Sequence, residues 1–429
     1  MHRTHWTRRG MIGAGVAASL APPSALAQTG QVEDVEALFM DDAEPRPETL
    51  IGTRALGDWP LWSAQKPRPA AVWHAGETSI DLGHLAAPKS SVTVRLDAAL
   101  FRRALATCFI DETTLGSRVL FGLRGARLAN PGDFRSGRTF AKTVSFVEDT
   151  PDHMSPRCIV GVWDRASGLF WATQASTVCN LAYLFGQAKA KTKETLCNLL
   201  PAGVYQYRIG THRNGSNSRQ PAAFILDSSV MVARNYDEAS LGFSRASLWE
   251  ARGPDVADNI HAAYYARPGM PEFSSAGCQT LPGTVWDTKT RARHDGFWRE
   301  FRIAAGLKPD PTILIDPGNA KRISTTEDWN AKSPEAVKKR FNYVLMTGRE
   351  LAILQGIKPA DDRALAKLRR GASGPIVRKL QAALNVPVDG GFGFRTQQAV
   401  VNLQSLAGWA DGVLTRSRLA DLGLPDVFA

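Results

Sequence analysis

The sequence predicts a body that is mainly β with α elements, followed by a small all-α three-helix domain at the C-terminus. Three observations carry that expectation. From about Val92 onward, short apolar runs are broken at close intervals by turn-forming residues. Helical periodicity in the same stretch is weaker, with residues 99–108 and 177–187 the better candidates. Beyond Leu368 the period changes: Val377, Leu380 and Leu384 recur at helical spacing after Pro375, a proline suited to a first turn.

In chain order, residues 1–27 read as an export signal. A positive start with the pair Arg8-Arg9 precedes an apolar stretch over 11–20, and Ala25-Leu26-Ala27 offers a small-residue cleavage site. The apolar run is too short for a permanent spanning helix. Thr7-Arg8-Arg9-Gly10-Met11-Ile12 resembles a twin-arginine signal, which exports folded proteins; an ordinary secretory leader is the alternative. Either route places the mature protein in the periplasm, with no integral membrane segment once the signal is removed.

Residues 28–94 are rich in Pro and Trp and hold neither period for long. They are expected to begin as a disordered tail and to pack on the next domain through Trp59, Trp62 and Trp73. Residues 95–356 form the β-rich domain. Its strands are expected at 119–123, 143–147, 158–163, 169–173, 204–209, 222–226 and 341–346, with a helical turn at 350–354. Asp164-Arg165-Ala166-Ser167-Gly168 reads as a hairpin turn between two of them. Residues 362–425 are the C-terminal domain. Ser373 is a possible cap, Val388-Asp389-Gly390-Gly391-Phe392-Gly393 a glycine-rich loop, and Ala410-Asp411-Gly412-Val413 an echo of that loop before a third short helix.

A chain of 429 residues has ample length for a sizeable core and for more than one domain. The formal net charge is +11; three of these charges (Arg3, Arg8 and Arg9) lie in the leader, leaving about +8 on the mature chain, a balance that suits polyanions in general. Charge alone does not choose among nucleic acid, anionic lipid and carboxylate-rich wall peptides. Five cysteines (Cys108, Cys158, Cys179, Cys197 and Cys278) enter an oxidising compartment, and an odd number leaves at least one thiol without an intramolecular partner. Cys278 is the candidate for that thiol, the other four being buried or paired. No Cys-x-x-Cys or His-x-x-x-His spacing points to a structural zinc, and neither metal nor cofactor is expected.

The chemistry centres on residues 259–280. His261 precedes by 17 positions a cysteine, Cys278, set behind the small residues Ser275, Ala276 and Gly277. A thiolate is a good nucleophile and an imidazole is the usual means of making one. Small residues leave the sulfur open and let backbone N–H groups approach a developing oxyanion. The plainer reading is a small buried cysteine and an unrelated core histidine. His294 is a second possible base, set between Arg293 and Asp295 in what reads as a charged surface turn.

The C-terminal stretch from Lys367 to Gly423 resembles the three-helix peptidoglycan-binding module of cell-wall enzymes. It carries Gly-x-x-Gly-Pro-x-Val-x-x-Leu-Gln, Val-Asp-Gly-x-Phe-Gly-x-x-Thr (aligned over 388–396) and Ala-Asp-Gly-Val in that order. The central stretch resembles YkuD-type L,D-transpeptidases, in which a His leads a Ser/Thr-His-Gly-Cys sequence. Here Ala276 replaces the second His, and Gln279-Thr280 departs from the residues that usually follow the Cys. The Ser-Ala-Gly-Cys-Gln form, with Asn259-Ile260-His261 upstream, is similar to a branch that joins L-Ala of one stem peptide to meso-diaminopimelate of another.

The resemblance implies a YkuD-like catalytic domain with Cys278 and His261 as catalytic pair, and Gly277, Ser275 and Ala262 as oxyanion or orienting groups. Tyr207, Arg208, His212, Asn259 and Gln279 are the expected substrate contacts. The implied activity is cysteine acyl transfer that cross-links peptidoglycan. A carboxypeptidase or endopeptidase, and an inactive wall-binding protein, are the alternatives. The implied partners are stem peptides and glycan rather than nucleic acid.

Overall fold

A computed structural model of the chain describes residues 73, 78–86, 92–130, 137–153, 156–180, 197–217, 219–234, 243–253, 258–263, 273, 275–288, 290–329 and 339–429. The export signal, Trp59 and Trp62 lie outside the described residues. The molecule is β-rich with helices packed on both faces of one large sheet. Among the described residues, no helix is long and apolar enough to cross a membrane.

The sheet has eight strands: β1 (Arg118–Arg124), β2 (Cys158–Asp164), β3 (Leu169–Ala175), β4 (Gly203–His212), β5 (Gln220–Leu226), β6 (Ile260–Ala263), β7 (Gln279–Pro282) and β8 (Arg340–Thr347). Their order is β7-β6-β5-β4-β8-β1-β2-β3. Two pairs are parallel, β6 with β7 and β8 with β1; the remaining neighbours are antiparallel. β2 and β3 form the hairpin expected around Asp164. The two edges of the sheet also meet. Ser176 and Thr280 exchange backbone hydrogen bonds of 2.9 and 2.8 Å, curling the sheet toward closure.

Strand alternation divides the core. Along β8, Phe341, Tyr343 and Leu345 point to one face, while Val344 and Met346 point to the other. The first face packs on α2 (Gly296–Ala304) through Phe297, Trp298 and Phe301. The second packs on α1 (Ala98–Thr107) and α3 (Gly348–Gln355) through Phe101, Leu105, Leu351 and Leu354. Each such side chain, taken fully out of water, stabilises the fold by about 1.5–3 kcal/mol. Strands buried on both faces read as continuous apolar runs, which is why β1 and β8 stand out in the sequence.

The helix expected over 177–187 does not begin where the sequence suggests. Residues 177–180 are irregular, and 181–187 lie outside the described residues. The local reason is competition for backbone groups. Ser176 pairs with Thr280, and the Thr177 carbonyl that a helix would use accepts from Arg124 Nη2 at 2.9 Å. That guanidinium also holds Asp81 in a wholly buried ion pair at 3.0 Å, tying the segment before β1 into the core. Trp73 reaches the body as expected of the extension, its ring 5.3 Å from that of His153.

The last 60 or so residues form α4 (Pro375–Ala383), α5 (Phe394–Leu406) and α6 (Arg416–Asp421) around their own apolar cluster, which includes Leu368, Val377, Leu380, Val400 and Leu419. Gly374 with a positive φ of 100°, not Ser373, caps α4. Gln381 threads the first loop by donating to Asp389 Oδ1 at 2.7 Å and accepting from Gly390 N at 2.8 Å. Gln404 repeats the arrangement with Asp411 and Gly412. This segment is sealed to the body. Arg369 and Lys367 reach the buried Glu350 of α3 at 2.8 and 3.0 Å, and Arg370 Nε donates to Val204 O at 3.2 Å. Burial alone would raise Glu350, but Arg369 and Lys367 outweigh it and hold the carboxyl well below the usual range.

Candidate active site

The parallel pairing of β6 and β7 sets Ile260 against Gln279 and His261 against Thr280, so the residue before β7, Cys278, falls beside His261. The turn that delivers it is tightly specified. Ser275 Oγ donates to the Cys278 carbonyl at 2.7 Å and accepts from Gly277 N at 3.0 Å. Gly277 has a φ of +149°, and a Cβ there would lie 2.8 Å from Asp258 Oδ1 and 2.9 Å from Asn198 O. Only glycine fits that turn.

One ring nitrogen from each of His212 and His261 lies with Cys278 Sγ in a cluster whose atoms are all within 4.8 Å of one another. All three residues are buried. The two imidazoles stack, centroids 4.4 Å apart and planes 12° from parallel. Their tautomers follow from fixed neighbours. His261 Nδ1 lies 2.7 Å from the Ala262 carbonyl, which can only accept; with the Gln220 amide turned so that its otherwise unpartnered oxygen faces the ring, Nδ1 carries the proton and Nε2 is the basic nitrogen. Asn259 Oδ1 accepts from the Leu226 backbone N–H at 3.0 Å, which turns its NH₂ toward His212 Nδ1 at 2.9 Å. His212 therefore carries its proton on Nε2. One ring is a base and its neighbour a donor.

The structure thus brings together Cys278, His261, His212, Asn259, Ser275, Gly277 and the Ala262 carbonyl. The expected roles shift for several of them. The Gly277 N–H, expected as an oxyanion donor, is engaged by Ser275 Oγ, and Ser275 closes the turn rather than touching the sulfur. Tyr207 is not a pocket wall. It is buried, donates to the Asp258 carbonyl at 2.7 Å, and burial, reinforced by Tyr343 and Asp258, pushes its phenol well above the usual range. Gln279 is likewise internal, donating to the Gly277 carbonyl at 3.2 Å and accepting from Tyr343 at 3.2 Å. Arg208 does face a cavity of about 340 Å³, lined also by His212, Asn259, Arg213, Arg322 and Asp328. There it pairs with Asp227 at 3.4 Å.

No family model, curated protein or solved structure matches this chain.

His294 is no surface turn. It is buried, with Nδ1 2.6 Å from the Pro309 carbonyl and Nε2 3.2 Å from that of Pro221, and burial with Arg302 pushes it down to about 3. Two further residues belong to the site. Gln220, opposite His212 in the β4–β5 pair, brings its amide 3.1 Å from His261 Nδ1. Asp258 lies under the nucleophile turn, accepts from Asn198 Nδ2 at 3.2 Å, and is pushed up to about 7 by burial against the opposing pull of Arg234. No local pattern marks either one, since each acts across strands. Two imidazoles and a thiol also form a donor set that zinc accepts, but among the described residues no fourth protein ligand joins them.

Proposed function

We propose that this protein is an exported, wall-bound L,D-transpeptidase with a YkuD-like body and a three-helix peptidoglycan-binding C-terminus. The observation that carries the reading is the cluster of Cys278, His261 and His212, with one ring basic and the other a donor. His261 Nε2 takes the thiol proton, and Cys278 Sγ attacks a stem-peptide carbonyl. The C–N bond breaks as the imidazolium protonates the leaving amine, leaving a thioester. An amine of a second stem attacks that thioester, passes its proton to His261, and expels the thiolate. The Nε2–H of His212 is suited to the developing negative charge, which replaces the backbone donors expected near Gly277. Acyl transfer of L-Ala to meso-diaminopimelate is the substrate reading that accompanies the Ser-Ala-Gly-Cys-Gln form.

Incubation of the purified protein with muropeptides, with products weighed by mass spectrometry, tests this. Cross-linked dimers are expected, and Cys278→Ala should abolish them. Trimmed monomers would make the protein a hydrolase, and unchanged substrate would leave only wall binding.

A further inference from the structure

The cavity of about 340 Å³ that contains His212 adjoins the thiol cluster through that ring and is lined by three arginines, Arg208, Arg213 and Arg322. Among its described lining residues Asp328 is the one acid. The arginines arrive from segments that are tied to one another. Arg208 stands on β4, held by Asp227 at 3.4 Å and with its guanidinium carbon 6.0 Å from the Trp329 ring centre. Asp227 also takes Arg340 at 2.9 Å, so one carboxylate answers two guanidiniums. Arg213 follows β4 directly, with a φ of +52°. Arg322 comes from the hairpin of Ile313–Asp316 and Asn319–Thr325, which is seated on the turn after β4. There Asn214 accepts from Ile323 N and donates to Ile323 O, both at 2.9 Å, and Thr211 Oγ1 donates to the same carbonyl at 3.2 Å. Among the described residues Arg322 has no acidic partner.

We propose that this cavity is a carboxylate subsite, in which Arg322, with Arg208 and Arg213, seats the free carboxylate of the residue that leaves. The inference rests on the acyl-transfer reading and deepens it. In a stem cut after L-Ala the next residue is a D-glutamyl group joined onward through its γ-carboxyl. Its α-carboxylate is then free and sits on the carbon that bears the leaving nitrogen. A charge so near the scissile bond lies beside the catalytic cluster, and the arginine-lined cavity is the space that shares His212 with that cluster. A guanidinium meets a carboxylate with two parallel hydrogen bonds, which fixes direction as well as distance. Anchoring the leaving residue in this way holds its nitrogen where the His261 imidazolium returns the proton. A carboxamide in the same place brings no charge to the guanidiniums, so the cavity also selects.

Full-length Cys278→Ala, which cannot turn over, is titrated calorimetrically with synthetic L-Ala–γ-D-glutamyl–meso-diaminopimelate. The analogue whose glutamyl α-carboxylate is a carboxamide is titrated beside it. The acid should bind about tenfold more tightly. Adding Arg322→Gln, a change at an exposed position, should weaken the acid by about tenfold and leave the carboxamide within about a factor of two. Adding Asp328→Asn instead keeps the bond from Thr325 Oγ1 at 2.6 Å, removes the opposing charge, and should tighten the acid several-fold. Equal affinities for the two peptides, no binding of either, or an acid preference unchanged by Arg322→Gln overturns the subsite. Acid-selective binding in a protein that yields no cross-linked product as wild type would keep the subsite and reject acyl transfer.

Discussion

Glu350, in the seam between the body and the C-terminal helices, and Asp258, under the nucleophile turn, are both cut off from water yet titrate in opposite directions. Glu350 has two cations in contact, Arg369 and Lys367, and stays ionised far into acid. Asp258 has an amide donor from Asn198 and a more distant pull from Arg234, and burial wins. The difference teaches what each region is built to do. The seam compensates its charge fully and is made to hold. The site leaves polar groups incompletely compensated, and such groups change state near neutrality.

The comparison breaks most severely at the seam. Glu350→Gln leaves Arg369 and Lys367 buried without their carboxylate, and should destabilise the protein by about 3–5 kcal/mol. Urea unfolding at pH 7 measures it. The sign of the pH dependence follows from a depressed folded value. The stabilisation from Glu350 is present above the unfolded carboxyl range near ~4.3 and is lost as pH falls below it. Wild type should therefore lose stability below about pH 4 more steeply than Glu350→Gln. Parallel acid limbs would remove the ion pair from the account.

At the site the expected effect is smaller and falls on rate rather than on stability. Asn259→Ala removes the amide that sets the His212 tautomer and frees the Leu226 N–H it satisfies. Cross-linking should drop by about 10–100-fold while Cys278 keeps its wild-type rate of alkylation, because base and nucleophile are untouched. An unchanged rate would mean that the His212 tautomer is irrelevant to the chemistry.

The two regions also differ in how far the sequence discloses them. In the C-terminal segment the partners lie close together in the chain. Gln381 serves a loop eight to ten residues on and Gln404 one seven to nine on, so the Asp-Gly echo is visible as text. The pair His261 and Cys278 is legible for a related reason, since one parallel strand pair joins them. Gln220 and Asp258 carry no such mark, because β4–β5 register and a close glycine contact bring them in. The strands of the sheet could be read from their apolar runs, whereas the irregular course of 177–180, where the sequence suggests the start of a helix, could not. There the Thr177 carbonyl is taken by an arginine 53 positions upstream.

A change of slope rather than a drop sharpens the contrast furthest. Asp258 is raised in the folded state from an ordinary carboxyl value to about 7. A raised group contributes stability that is fully present below its unfolded pKa and is lost as pH climbs through the folded one. Between about pH 4 and 7 the native state then holds one proton more than the unfolded chain, and stability should fall by no more than about 1.4 kcal/mol per pH unit. Asp258→Asn keeps the contact with Asn198 and cannot ionise, so its stability should run flat across that window where wild type declines. Denaturant midpoints taken at half-unit steps from pH 5 to 8 resolve the two shapes. If both run flat, Asp258 is ionised throughout, and Arg234 compensates it as fully as Arg369 compensates Glu350. The site would then be built like the seam.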